Sequence, residues 1–171
     1  MIQEPSRALT DTRELHLGYL DYYRSIVESK LRGLSDDELR RTRLPSGWSP
    51  LELLKHLVFM ERRWFRWGIA GEAVDGPWDD HADGKPDGEW QLADDDDLPS
   101  LLAALHAGGE KTRAILTGVE LDAAGKPGGR FTADQTATVN WVCFHVLEEY
   151  MRHTGHLDIA RELADGVIGE V

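Results

Sequence analysis

The stretch HVLEEYMRHTGH, His145 to His156, crowds three histidines and two glutamates into one short segment. Trp141, Val142, Phe144, Val146, Leu147, Tyr150 and Leu157 surround them, so core-type and ionisable residues occur together. A helix turns about 100° per residue, which leaves positions four apart roughly 40° apart on one face. His145, Glu149 and His153 form such a series, and His156 joins that face three residues on. Glu149 and His153, at i and i+4, are spaced so that both side chains can grip one ion. Glu148 lies further round, at a solvent-facing or supporting position.

A second segment, WSPLELLKHLVFMERRW from Trp48 to Trp64, supplies a partner. His56 shares an apolar stripe with Leu53, Phe59, Met60 and Trp67, whereas Glu52, Lys55, Glu61, Arg62 and Arg66 read as the outer faces. A polar group buried without a partner costs roughly 1–3 kcal/mol. A core-facing histidine therefore needs a reason, either a hydrogen bond such as His56 to Glu149 or a metal. Two imidazoles and one carboxylate make a three-ligand site with an open position, the pattern of catalytic zinc. On spacing alone, His145 or His156 could replace one of the three.

The remaining chain reads as helices joined by long connections. Ser49, Pro50 and Glu52 spell the N-cap, N1 and N3 positions of a helix that should run through Ala70 and stop at Gly71. A first helix is expected from about Asp11 to Gly33, on the spacing of Leu17, Leu20, Tyr23, Val27 and Leu31. Ser35-Asp36-Asp37-Glu38 predicts a short helical turn after it. A third long helix should span about Leu98 to Leu116, interrupted by Gly108-Gly109, and the last about Thr138 to Asp165 with Gly166 as its stop. Gly125 to Gln135 is either a loop or a short hairpin around Gly128-Gly129. The expected architecture is all-α, a four-helix bundle with long connections in a single domain over residues 1–171.

Composition narrows the function. Hydrophobic residues are 41% and charged residues 29% of 171, a soluble globular balance. A net charge of −12 opposes nucleic-acid binding and docking on anionic lipid. No run approaches the ~18 apolar residues of a membrane span, and the first residues hold no secretory signal. With Cys143 as the single cysteine, the expected compartment is the reducing cytoplasm. The acid is concentrated between Asp75 and Asp97, which reads as a solvated loop without the spacing of an EF-hand. A loop of this length often lies over a functional site. Trp48, Trp64, Trp67 and Trp141 are expected to pack in the core, while Trp78 and Trp90 are candidates for a lid.

WSPLELLKHLVFMERRW followed by HVLEEYMRHTGHLDIARE resembles the DinB-like superfamily. Glu149-Tyr150-Met151-Arg152-His153 is closest to the Glu-x-x-x-His form of its mycothiol-dependent maleylpyruvate isomerase branch, in a small actinobacterial group of unknown function. The resemblance covers nearly the whole chain. It implies a four-helix bundle and a metal held by His56, Glu149 and His153, in preference to His145 and His156. The isomerase carries a further C-terminal domain, which a chain ending at Val171 is expected to lack.

The function expected from residues and resemblance together is a divalent-metal enzyme, zinc being the first choice and nickel another, that activates or transfers a small thiol such as mycothiol or bacillithiol. Coordination lowers a thiol's pKa and makes the thiolate available for attack on an electrophilic carbon. Two alternatives stand beside it. One is a metal-dependent hydrolase, with His145 or His156 as base. The other is a non-catalytic, stress-associated binding module braced by metal. The apolar first and last helices could support a homodimer.

Overall fold

The structure, a computed structural model, describes residues 2–168. Its long helices are α1 (Thr12–Leu31), α3 (Pro50–Arg62), α4 (Leu98–Thr117) and α5 (Val139–Asp165), with the short α2 (Asp36–Arg40) after α1. α1 packs on α4 and α5, and α3 packs on the same two helices, so the four close into a bundle. The connections α3–α4 and α4–α5 are long, as expected. No strand forms among the described residues, and none of them builds a helix long and apolar enough to cross a membrane.

Local chemistry explains the helix ends. Ser49 accepts from Glu52 N–H while Glu52 accepts from Ser49 N–H at 2.6 Å, a complete capping box ahead of Pro50. Asp11, Ser35, Asp97 and Thr138 cap the other starts, each side chain accepting from a backbone N–H of the first turn. α5 ends at Gly166, whose φ of 75° is the left-handed conformation that stops a helix at little cost for glycine.

One hydrophobic cluster draws on every long helix, with Leu20, Leu54, Phe65, Leu105, Val146 and Tyr150 at its centre. Within it lies a polar network that the stripe reading of α3 placed outside. Glu61 is 2% exposed. It accepts from Arg24 Nη2 at 2.6 Å and Nε at 3.0 Å, from Tyr150 Oη at 2.6 Å, and from Thr112 Oγ1. One carboxylate thus joins α1, α3, α4 and α5. Lys55 is buried too, paired with Asp96 at 2.7 Å. These are corrections to the expected outer face, and their cause is nonlocal partners that neutralise the charge.

Three more expectations change, and one open alternative is decided. Gly108-Gly109 does not interrupt α4, because a Cβ on Gly109 would lie 3.0 Å from the Arg24 guanidinium; the glycine makes room for the buried network. The second helix does not continue as α-helix to Ala70 but widens into a π-helix over Arg63–Ile69. Gly125 to Gln135 is a coiled connection with isolated bridges, pinned to that π segment by Lys126 N–H to Ile69 O and Arg130 N–H to Trp67 O. Trp141, expected in the core, is 52% exposed.

Candidate metal centre

α3 and α5 are packed neighbours, and their facing sides bring His56, Glu149 and His153 together. One ligand atom from each lies within 4.8 Å of the others. Glu149 Oε2 is 3.1 Å from His153 Nε2 and 3.6 Å from His56 Nε2. The i, i+4 step on α5 supplies the first distance, and the bundle supplies the second.

The decisive atom is His56 Nε2. It is buried and has no hydrogen-bond partner. The opposite nitrogen, Nδ1, meets Asp80 Oδ2 at 3.0 Å. Asp80 is fully buried and also pairs with the buried Arg63. A carboxylate on the far side of a histidine fixes the tautomer, with the proton on Nδ1 and the lone pair on Nε2 directed at the site. The donor set therefore fits a divalent metal: two nitrogens, one carboxylate oxygen and one uncompensated lone pair.

Sequence reasoning missed Asp80, and its burial corrects the reading of 75–97 as a solvated loop. A second grouping, His56, Asp80 and His81, also comes within ligand spacing. Arg63 pairs with Asp80 and so opposes a cation there. This grouping supports the first site from behind.

The remaining histidines take other places. His156 lies beside the site, with Nδ1 3.2 Å from His153 Nδ1. His145 Nε2 is 3.9 Å from Glu149 Oε1, and the ring stacks on Trp141 and meets Trp64 edge-on. Glu148 is exposed. Of the two lid candidates, Trp90 stacks on His56 with ring centroids 4.0 Å apart, whereas Trp78 packs against Trp67 and the Arg63 guanidinium.

Electrostatics agree with the geometry. His153, and then His56, hold the Glu149 carboxyl well below the ordinary carboxylate range. Burial lowers the pKa of His153 and of His156 and so favours the neutral imidazole in both. Burial works against the Asp80 charge, but the His56 hydrogen bond and Arg63 outweigh it and leave its carboxyl below the usual value. Burial pushes the Cys143 thiol up to about 12, so it is no nucleophile.

The three residues open onto a pocket of about 560 Å³, lined also by Leu44, Trp48, Trp90 and Arg152. Its size suits a small molecule. No curated protein matches the chain. The family model described as mycothiol-S-transferase matches residues 15–166, from α1 to the end of α5. That match covers the whole bundle and both segments that build the site, and the chain belongs to the mycothiol-S-transferase family within the DinB-like superfamily.

Proposed function

We propose that the protein is a metal-dependent S-transferase that moves a small thiol, mycothiol foremost, onto an electrophilic carbon. His56, Glu149 and His153 are the ligands in this reading. Zinc suits two imidazoles and a carboxylate best, with nickel next. The observation that carries the proposal is the His56 ring, held by Asp80 at Nδ1 and bare at the buried Nε2. Leaving that nitrogen unpaired costs roughly 1–3 kcal/mol, a cost that ligation removes.

When bound, the metal supplies a Lewis acid that favours thiolate over thiol at neutral pH. The chain's own groups do the rest. Asp80 keeps the His56 lone pair aimed at the site. Glu149, ionised, offsets part of the positive charge. His156 lines the pocket and is placed to accept the thiol proton. Trp48 and Trp90 wall the pocket against water. Thiol and electrophile give a thioether and a protonated leaving group, so no redox partner is required.

The same reading takes the chain as one cytoplasmic domain. It also takes it as a homodimer joined through Phe144, Met151 and Ile159, which stand exposed on α5. Light scattering tests that assembly, and a monomer at all concentrations would refute it.

The central test is elemental analysis of tag-free protein beside His56→Ala, followed by thiol conjugation assays with an aryl halide. About one divalent metal per chain, lost in the variant together with mycothiol conjugation, is the expected result. No metal in either protein after reconstitution would overturn the proposal. Turnover without added thiol would favour hydrolysis instead.

A further inference from the structure

A second pocket, of about 510 Å³, opens between α3 and α4 and shares no lining residue with the metal pocket. On α3 and the π segment beyond it, Phe59, Arg62 and Arg66 follow at three- and four-residue steps. On α4, Leu101, Ala104, Gly108 and Lys111 do the same. Such steps place each row on one face of its helix. Each row carries apolar residues and a basic one.

Glycine keeps this space open. Gly108 lies in the interior of α4, where glycine weakens a helix. A Cβ on Gly108 would meet nothing within 4 Å, whereas one on Gly109 would press on Arg24. No contact within the chain requires glycine at 108. Its missing side chain leaves an open wall in the pocket.

The basic groups are short of partners. Arg62 Nη2 donates to two backbone carbonyls, those of Asp75 and Gly76, and Nε is buried without a hydrogen-bond partner. The guanidinium lies 4.6 Å over the Phe59 ring. Among the described residues, no carboxylate pairs with Arg62 or with the exposed Lys111. Burial lowers the Arg62 pKa, against the pull of Asp79 and Asp75. Other charges at the pocket are already matched. Asp96 meets Lys55 at 2.7 Å and the Ala93 N–H at 2.6 Å, and Arg66 meets Glu72 at 2.8 Å. Two unpaired cations and the exposed Asp95 remain, in a chain whose net charge is −12.

We infer that the α3–α4 pocket binds an organic acid, a carboxylate on an alkyl or aryl body, with Arg62 and Lys111 on the head and Phe59, Leu101 and Ala104 along the body. Guanidinium and ammonium donors form their strongest hydrogen bonds with such an anion. The volume suits a small molecule. A neutral apolar guest would leave both cations uncompensated, and a cationic guest would meet like charge. The site is independent of the thiol-transfer reading.

Titration calorimetry on the full chain tests this, with octanoate and 2-naphthoate as probes and 1-octanol and octyltrimethylammonium as controls. Both acids should bind one per chain and displace one another, at least about tenfold more tightly than either control. The tighter of the two acids identifies the body, alkyl or aryl. Arg62→Gln and Lys111→Gln should each weaken the acids about tenfold and leave 1-octanol unchanged. Lys111 is exposed, so its variant serves if Arg62→Gln is unstable. Gly108→Leu, which adds volume where a Cβ has no neighbour, should abolish binding while α4 gains helix propensity. His56→Ala should bind both acids like the wild type.

Controls that bind as tightly as the acids overturn the site, as does full affinity in Lys111→Gln or in Gly108→Leu. Loss of both acids in His56→Ala would place them at the metal centre and overturn it too. Absence of metal, or of thiol conjugation, would sink the transferase reading and leave this site standing.

Discussion

Asp80 and His56 lie 24 positions apart in the chain, and Asp80 Oδ2 meets His56 Nδ1 at 3.0 Å. The contact joins a loop residue to a helix residue at full burial of the carboxylate. It sets which face of the imidazole is available to a metal.

Asp80→Asn should lower metal affinity about 10–100-fold, because a neutral amide orients the ring but no longer raises its basicity. Competition against a chromophoric chelator measures this. Unchanged affinity would make the contact structural only. Asp80→Ala should further destabilise the fold by about 3–5 kcal/mol, since it strands the buried Arg63 without its partner.

The Glu61 network should behave as one unit. Glu61→Ala is expected to cost about 3–5 kcal/mol in urea unfolding, because Arg24 stays buried with only the exposed Asp21 left to pair it. Tyr150→Phe removes one hydrogen bond and should cost about 1–2 kcal/mol. A double-mutant cycle on the pair should show non-additivity, and strict additivity would argue against a shared network.

Alkaline pH should destabilise the protein. Burial raises the Cys143 thiol from its ordinary 9.0 to about 12 and puts the Tyr150 phenol well above its ordinary 10.0. Once pH passes the unfolded values, the unfolded chain has lost protons that the native chain still holds. The derivative of unfolding free energy with pH is then negative, by about 1.4 kcal/mol per pH unit for each group. Urea midpoints from pH 8 to 11 should fall, and Cys143→Ala should flatten the part that begins near 9. The thiol should also resist alkylating reagents in the native state, and rapid modification at neutral pH would contradict its burial.

Trp90 sits face to face with His56 at 4.0 Å, so its fluorescence reports on that ring. Adding zinc to metal-free protein should change the emission, and Trp90→Phe should remove most of the change. A signal that persists in the variant would come from another tryptophan beside the site, such as Trp48, which lies 5.3 Å from His156.

What was legible in the sequence depended on how local the cause was. The start of α3 could be read because Ser49, Pro50 and Glu52 act on their own backbone. Glu149 and His153 could be paired because helix periodicity alone sets them side by side. His56 needed only the stripe around it. Asp80 gave no such signal: it stands in an acidic run without period, and its burial is decided by Arg63 and His56, residues on another element. Lys55 and Glu61 misled for the same reason, since a charge reads as exposed until its partner is known. Trp141 misled in the opposite sense, as a large aromatic on the outer side of α5.

The π segment Arg63–Ile69 has a consequence for the history of the chain. A π turn is an α-helix holding one residue too many, and such turns gather near functional sites. Removing one residue there would close the widened turn and shift the carbonyls it presents by one position. Trp67 and Ile69 would then turn away from Arg130 and Lys126, whose amides they receive. An insertion at this point, once accommodated, would be locked in place by the connection that docks against it, and deletion scanning through Arg63–Ile69 should find this stretch far less tolerant than the exposed turns around Gly84.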